Sequence, residues 1–251
     1  MNTIITIDIG NTNITAGIFY GPRLIGKRRF PTHKYSSYES GFKGFLKAHR
    51  VDLESSRPVV ISSVVPVSLA RLVMHLNNIM RPRFIIAGRD VKVPIRNLYR
   101  NKAEVGQDRL VNAYAASSIY GAPCVVVDLG TAITFDVVSK KGEYLGGLIL
   151  PGIEISLRSL YEKTALLPRV ELKKAPSIIG KDTVNSMRGG ILFGFGAMCD
   201  CLSSKYRKIL GKKTKIIATG GNAGLMKEYT SSIQIVDEDL TLKGLLLLAS
   251  E

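Results

Sequence analysis

Two short turns carry the residues of this sequence that could do chemistry. The segment DIGNTNIT, residues 8–15, lies between two apolar runs, and the segment DLGTAIT, residues 128–134, lies in the same setting. A glycine after a strand lets backbone N–H groups approach an anion without a Cβ in the way, and Asn and Thr add side-chain donors. A carboxylate at the strand end can hold a cation that faces the same anion. The two turns therefore indicate paired elements for phosphate and cation binding.

A third glycine turn follows another apolar run. Gly220 and Gly221 come directly after the segment TKIIAT, residues 214–219. Two phosphate turns facing each other would grip a nucleotide tail, and this third turn would let backbone approach a base or a ribose. Glycine turns occur in loops of every function, so no single one predicts binding. The three together favour a phosphotransferase or an ATPase.

The first turn belongs to a pattern that occurs twice. Residues 3–9, 13–20 and 23–30 read as three consecutive strands, and residues 123–152 repeat the design at an offset of 120 residues. This repeat predicts a duplicated α/β architecture in which each half is a sheet carrying helices, with domains 1–115 and 116–251. The alternative is chance similarity between two short apolar hairpins.

The elements between and after the repeats place further polar residues. The segment PVVISSVVP, residues 58–66, reads as a buried strand, and residues 107–120 read as a helix. Asp108 and Arg109 stand at the start of that helix. As an ordinary helix start, the Asp would cap the helix and the Arg would be solvated; as a site, they would supply a base and a rigid cationic fork.

A long helix is predicted near the end of the chain, capped by Asp182 or Thr183. Two glycines in it, Gly190 and Gly194, are four residues apart, so another backbone can approach closely there. The apolar stretch is too short to cross a bilayer, which favours a packed helix pair or a dimer seam. The predicted apolar stripe consists of Met187, Ile191 and Phe195.

Composition limits the classes of protein to consider. The chain has 251 residues, of which 45% are hydrophobic and 22% are charged, enough for a sizeable core. It lacks a signal-peptide pattern at its start and a membrane-spanning run, so we expect a cytoplasmic protein. Cys124, Cys199 and Cys201 form no disulfide or metal-ligand framework, and we interpret them as reduced core thiols.

The net charge of +15 has two interpretations. Nucleic-acid binding is one, but the Lys and Arg residues are spread along the chain among few aromatics and form no tract. The other is a basic enzyme that attracts anionic substrates.

Seven motifs in a fixed order resemble the signature set of a known family. They are DIGNTN, GQDR, DLGTAITFD, GGLILPG, TALLP, KDTVNSMRGGI and TGGNA, and the match that contains them runs from residue 4 to about residue 245. The set resembles the type III pantothenate kinases of the actin, sugar kinase and Hsp70 superfamily. The resemblance implies a duplicated ribonuclease H-like fold, also called the actin-like ATPase fold. In that fold two mixed sheets are flanked by helices, with an ATP cleft between the halves.

The resemblance also implies an activity and its partners. The expected reaction is ATP-dependent phosphorylation of the terminal hydroxyl of pantothenate, the first step of coenzyme A synthesis. The expected cofactors are Mg²⁺ with ATP and a monovalent cation, K⁺ or NH₄⁺. The expected assembly is a homodimer without a nucleic-acid or membrane partner.

Site residues follow by matching motif positions. Asp108 matches the proton acceptor, Asp128 resembles the monovalent cation ligand, and Asp8 would hold Mg²⁺. The ATP-binding set comprises Asp8, Ile9, Gly10, Asn11, Thr12, Asn13, Ile14, Thr15, Thr131, Gly220 and Gly221. The pantothenate-binding set comprises Tyr99, Gly106, Gln107, Asp108, Arg109 and Thr183.

Two positions depart from the family pattern. The family usually has Tyr-Asp-Asn-Pro where this chain has YRNK, residues 99–102, and usually Ala at the position of Gln107. Charge and loop stiffness therefore differ on the substrate side. Two alternative functions stay open at this point. One is another small-molecule kinase or a phosphohydrolase of the superfamily, and the other is a non-catalytic basic accessory factor in transcription.

Overall fold

The computed structural model describes residues 3–249. Within this range the strands are β1 Thr3–Ile9, β2 Asn13–Tyr20, β3 Arg23–Pro31, β4 Arg57–Ser63, β5 Pro82–Ile86, β6 Cys124–Leu129, β7 Ala132–Val138, β8 Tyr144–Pro151, β9 Lys215–Thr219 and β10 Ile235–Val236. The helices in the same range are α1 Tyr38–Ala48, α2 Pro66–Ile79, α3 Gln107–Tyr120, α4 Ile153–Glu162, α5 Thr183–Leu210, α6 Ala223–Met226 and α7 Leu240–Leu248.

The two sheets have the same topology. Across the described residues, one sheet has the strand order β3-β2-β1-β4-β5 and the other, read in the equivalent direction, has the order β8-β7-β6-β9-β10. In each sheet a three-stranded antiparallel meander is followed by two parallel strands. Asp8 pairs with Thr15 in the first meander, and Asp128 pairs with Thr134 in the second. The predicted duplication is confirmed.

The chain forms two compact units. The first unit comprises the chain up to Pro94, Asn101–Ala115 and the chain from Thr241 onward. The second unit comprises Ile95–Arg100 and Ala116–Leu240. The division at residues 115 and 116 as a boundary between folding domains stays a prediction.

In the first unit, apolar residues cover both faces of the sheet. Val59 and Ile61 of β4 pack with the buried side chains of α1 and α2, whereas Val60 packs with Val111 of α3 and Leu245 of α7. Successive strand residues point to opposite faces, so a continuous apolar run such as β4 fits a strand buried on both sides. Helices α1 and α2 therefore cover one face of this sheet, and α3 and α7 cover the other.

In the second unit, α5 lies along the sheet formed by β6 and its neighbours. Val125 and Val127 of β6 belong to one buried cluster with Leu192 and Cys199 of α5. Asp182 is the N-cap of this helix, and its Oδ1 accepts a hydrogen bond from the backbone N–H of Asn185 at 2.9 Å. The predicted cap and the start of the helix at Thr183 are confirmed. None of the helices in the described range is long and apolar enough to cross a membrane.

Several local predictions need correction. The strand predicted for 58–66 ends at Ser63, because Pro66 occupies the first turn of α2, where a missing N–H has no cost. Cys201 is exposed and is not a core thiol. Cys199 and Cys201 are two positions apart on α5, and the helical period of 3.6 residues places them on opposite faces.

The long helix also has a different close-approach glycine from those expected. A Cβ on Gly196 would overlap the carbonyl oxygen of Tyr229, whereas a Cβ on Gly190 or Gly194 would have no described heavy atom within 4 Å. On the apolar stripe, Met187 is buried, but Ile191 and Phe195 are only partly buried against the cluster.

Candidate active site

The first phosphate turn is held in shape by the end of β3. The backbone N–H of Gly10 donates to the carbonyl oxygen of Asn13 at 3.0 Å, which closes the turn. The buried Thr32, which directly follows β3, makes two hydrogen bonds to the turn. Its Oγ1 donates to the Gly10 carbonyl at 2.7 Å, and its N–H donates to the Thr12 carbonyl at 3.0 Å. The tip at Asn11 and Thr12 is exposed. A rigid, solvent-facing tip is suited to binding an anion.

Asp8 lies at the carboxyl edge of three parallel strands of the first unit. Asp8 of β1 is in register with Ser62 of β4, and Ile61 of β4 is in register with Ile86 of β5. The backbone N–H of Val64, just after β4, donates to the carbonyl oxygen of Ile9 at 3.1 Å. Sites in α/β proteins form at such edges, because the loops that follow the strands converge there.

The segment that starts α3 is seated on the same edge. A Cβ on Gly106 would lie 3.7 Å from Cγ1 of Val64, so Gly106 lies beside the loop that follows β4. The side chain of Gln107 lies against Gly88, just after β5, so closely that a Cβ on Gly88 would overlap it. Gly88 has φ +81°, a conformation that other residues rarely adopt. The structure therefore accommodates the unusual Gln107 and brings this segment close to the strand end beside β1.

At that edge, Asp108 has the position and the raised pKa expected of a general base. Its Oδ1 accepts a hydrogen bond from the backbone N–H of Arg109 at 2.8 Å and lies so close to Gly106 that a Cβ there would overlap it. Burial raises the pKa of the Asp108 carboxyl above its ordinary value, and the Arg109 N–H and guanidinium only partly oppose that effect. A raised pKa makes this carboxylate a stronger proton acceptor than an exposed one.

In the second unit, two glycines lie close to the carboxylate of Asp128. Asp128 at the end of β6 is in register with Thr219 of β9. A Cβ on Gly220 would lie 2.5 Å from the Asp128 Oδ1, and one on Gly130 would lie 3.1 Å from it. A Cβ on Gly220 would overlap this oxygen, and a Cβ on Gly130 would crowd it. Peptide oxygens and a single carboxylate together provide the hard ligands that alkali and alkaline-earth cations prefer.

A further glycine, Gly152, packs on the second turn, and sequence reasoning missed its role. A Cβ on Gly152 would overlap the carbonyl oxygen of Thr131. Its φ is −67°, so the requirement for glycine is one of space and not of backbone conformation. The motif GGLILPG contained this residue, but a close contact with Thr131, much earlier in the chain, leaves no periodic signal in the sequence.

Tyr99 and Thr183 lie in other parts of the second unit. Tyr99 is half-buried against Gly146 of β8. Thr183 is the exposed first residue of α5, next to the Asp182 cap. At that helix start, the Asp182 carboxylate accepts hydrogen bonds from the backbone N–H of Asn185 at 2.9 Å and from its side-chain amide at 2.7 Å. The structure thus joins Gly106, Gln107 and Asp108 to the strand edge of the first unit, and joins Asp128 with Gly220 in the second.

The carboxylates at these turns do not form a protein-only metal cage. Within residues 3–249, no group of three or more His, Cys, Asp or Glu side chains could hold a metal ion. Single carboxylates beside phosphate turns suit cations whose remaining ligands are substrate phosphates and water, as is common for Mg²⁺.

Solved structures with a similar fold agree with this architecture. An ethanolamine utilization protein EutJ from Carboxydothermus hydrogenoformans has a TM-score of 0.57 at 12% identity, covering 99% of this chain and 90% of that one. An MreB from Spiroplasma citri bound to AMPPNP has a TM-score of 0.56 at 10% identity, covering 100% and 96%. At these identities the likeness shows the fold alone. The fold is the actin-like ATPase fold, as predicted.

Relatives in sequence identify the family. The chain is 43% identical over 245 residues to a type III pantothenate kinase from Myxococcus xanthus, covering 96% of each chain. It is 41% identical over 257 aligned residues to one from Desulforapulum autotrophicum, covering 99% of this chain and 97% of that one. The model of the type III pantothenate kinase family matches residues 4–205. The chain therefore belongs to the type III pantothenate kinases, a family of ATP-dependent kinases.

Proposed function

We propose that this protein transfers the γ-phosphoryl group of ATP to the terminal hydroxyl of pantothenate. The observation that carries the proposal is the position of Asp108. Its carboxylate, with a raised pKa, is seated on the strand edge that also carries Asp8 and the first phosphate turn. Family membership supports the choice of pantothenate as the acceptor.

Asp108 acts as the general base in this proposal. A primary alcohol is far less acidic than a carboxyl group, so Asp108 does not remove the proton before the reaction. It orients the hydroxyl and accepts the proton as the oxygen–phosphorus bond forms and the bond to ADP breaks. In a loose phosphoryl-transfer transition state, most of the acceleration comes from positioning and from neutralising charge.

The turns bind ATP in this proposal. The first turn holds phosphate oxygens, Thr131 contacts phosphate from the second turn, and Gly220 with Gly221 admits the nucleoside. Asp8 holds Mg²⁺, directly or through water. The ion supplies charge neutralisation at the transferring phosphoryl group when bound. The rigid tip fixed by Thr32 supports this role, since a preorganised anion site has no ordering cost to overcome.

Asp128 holds the monovalent cation in this proposal. Its carboxylate oxygen faces the backbone at Gly130 and Gly220, a space that a Cβ would fill. K⁺ or NH₄⁺ there adds positive charge beside the nucleotide phosphates. Turnover should collapse when Na⁺ replaces K⁺ or NH₄⁺, and Asp128→Asn should blunt that dependence. Equal rates in Na⁺ and K⁺ would remove the assignment.

The remaining substrate residues bind pantothenate in this proposal. Arg109 has a planar fork that pairs well with a carboxylate or a phosphoryl group, and it follows Asp108 directly on α3. Gly106 and Gln107 shape the same segment. Tyr99 and Thr183 are the other two pantothenate-binding residues in this proposal. The protein works in the cytoplasm as a homodimer, with the exposed Gly190 face of α5 as the seam.

An ADP-release assay with a panel of acceptors tests the proposal. Purified protein is supplied with MgATP, K⁺ and either pantothenate, hexoses or no acceptor. ADP release that requires pantothenate supports the proposal. Release with a hexose instead would favour another kinase of the superfamily, and release without any acceptor would favour a phosphohydrolase. Salt-dependent DNA binding without any turnover would favour the accessory factor.

A further inference from the structure

A bulge in β8 supports the ring of Tyr99. The pairing of β7 with β8 shifts register between Val137 and Val138, whose partners are Gly146 and Tyr144. Leu145 is thus the extra residue, and Gly146 after it has φ +110°. Bulges twist a strand locally and redirect the groups beside them.

The contact between Tyr99 and the bulge depends on the absence of a side chain. A Cβ on Gly146 would lie 3.1 Å from Cδ2 and 3.2 Å from Cε2 of the Tyr99 ring. Those distances are shorter than an ordinary van der Waals contact between carbon atoms, which is about 3.5 to 4.0 Å. A Cβ at Gly146 would therefore crowd the ring edge, and the ring would have to move by a few tenths of an ångström.

The backbone around Tyr99 is bound to the same strand. The N–H of Tyr144 donates to the carbonyl of Arg96, and the N–H of Leu98 donates to the carbonyl of Tyr144, both at 2.9 Å. The guanidinium of Arg96 also pairs with Glu143 at 2.9 Å, and the N–H of Tyr99 donates to Oδ1 of Asn97 at 2.9 Å. Residues 96–99 are thus fixed to the start of β8 at several points.

Tyr144 is in turn anchored to the sheet interior. Its hydroxyl donates to Oδ1 of Asp136 at 2.8 Å, and Oγ1 of Thr134 donates to Oδ2 of the same carboxylate at 2.7 Å. Asp136 and Tyr144 are both fully buried. Buried polar groups that hydrogen-bond to one another favour a single arrangement. Breaking one of these bonds would leave a buried group without a partner, which costs free energy.

We infer that Gly146 is a positioning residue for pantothenate, acting through Tyr99. The bulge at Leu145 and Gly146, fixed by Tyr144, sets the position of the Tyr99 ring, and the proposed function counts Tyr99 among the pantothenate-binding residues. The choice of acceptor rests on the proposed function, but the support of the ring by Gly146 does not. A residue that acts in this way changes pantothenate binding more than the rate of phosphoryl transfer or the binding of ATP.

Gly146→Ala tests this inference, and Gly142→Ala is its matched control. Gly142 lies in the same β7–β8 hairpin with φ +75°, but a Cβ there has no described heavy atom within 4 Å. Both substitutions strain the backbone, and only the one at Gly146 displaces the ring. We expect Gly146→Ala to raise the pantothenate KM by roughly tenfold with little change in the ATP KM, and Gly142→Ala to leave both near wild type.

A double-mutant cycle shows whether Tyr99 transmits the effect. In a Tyr99→Ala background, Gly146→Ala should add nothing further to the pantothenate KM, because the ring it displaces is gone. Independent, multiplying effects of the two substitutions would overturn the inference, as would an unchanged KM in Gly146→Ala. An equal rise in Gly142→Ala would also overturn it, because strain in the hairpin would then be the cause.

A fluorescence readout separates this inference from the proposed function. The chain contains no tryptophan, so Tyr99→Trp creates a single reporter. Gly146→Ala should shift the emission and acrylamide quenching of that reporter, and Gly142→Ala should not. If the wild type lacks pantothenate-dependent ADP release, the proposed function fails, and the reporter still tests the support of the ring. If turnover is present and Gly146→Ala leaves the reporter unchanged, only this inference fails.

Discussion

At the scale of single residues, Asp108 combines two properties that conflict. Burial raises its pKa, which makes the carboxylate a better base but disfavours its charged form in the folded protein. Gly106 lies against the carboxylate, and the Arg109 N–H holds its Oδ1 at 2.8 Å. A residue retained only as a helix cap would gain nothing from such burial. We therefore expect substitution to separate activity from stability.

Asp108→Asn should lower kcat by roughly 10² to 10⁴, the usual worth of a positioned general base, because an amide cannot accept the proton. The ATP KM should stay near wild type, because the phosphate turns are untouched. Steady-state kinetics with both substrates varied measures this, with the exposed Glu104→Gln as the control. A kcat within about threefold of wild type would reduce Asp108 to a cap.

The same variant makes a prediction about pH and stability. The folded-state pKa of Asp108 lies above its value in the unfolded chain, so the folded protein binds this proton more tightly. The stabilisation from that proton is present below the unfolded pKa and is lost as pH rises through the folded pKa. The wild type should therefore lose stability relative to Asp108→Asn as pH rises through this range. The Tm of the variant minus the Tm of the wild type should increase over this range and then stay constant. Thermal scans from about pH 4 to about pH 8 measure the gap, and a gap that narrows would contradict the raised pKa.

At the scale of elements, the sequence does not show which glycines are required by tertiary packing. Gly190 and Gly194 stand out in the sequence by their spacing, yet among the described residues the glycine of α5 that another backbone approaches most closely is Gly196. Spacing identifies the face of a helix, but only the tertiary path of Tyr229 determines which glycine is required. Gly152 and Gly146 were not predicted for the same reason, since their partners, Thr131 and Tyr99, lie far away along the chain.

Two alanine substitutions in helix interiors should have opposite effects on stability. Gly196→Ala should destabilise the protein by about 2 kcal/mol or more, because its Cβ would overlap the Tyr229 carbonyl. Gly44→Ala in α1 should stabilise it by roughly 0.5 to 1 kcal/mol, because the space is open and Ala favours a helix. Urea unfolding midpoints measure both. Similar shifts in the two variants would show that helix propensity, and not packing, dominates at Gly196.

At the scale of the whole molecule, much of the fold was predictable because it is duplicated. The strand meander, its repeat 120 residues later and the helix at 107–120 are confirmed. The two polar turns revealed the repeat because each interrupts an otherwise apolar run. The packing of Tyr99 against Gly146 and of Gln107 against Gly88 was not predictable, because a contact with a single glycine leaves no pattern in the sequence.

The proposed dimer is testable through α5. Gly190 and Gly194 are exposed in the chain and have open space above them. If a second copy packs there, Gly194→Leu should give monomers or aggregates in sizing chromatography, while the wild type elutes as a dimer. Lys205→Leu, at an exposed position farther along α5, is the control. A wild type that is monomeric at micromolar concentration would contradict the dimer.

The identity of the product tests the proposed function most directly. Wild-type protein with MgATP, K⁺ and pantothenate is followed by ³¹P NMR, beside Asp108→Asn under the same conditions. We expect a new phosphate monoester on the terminal hydroxyl of pantothenate, formed in step with ADP by the wild type and slowed by roughly 10² to 10⁴ in the variant. Inorganic phosphate as the only product, or equal formation of the ester by Asp108→Asn, would contradict it.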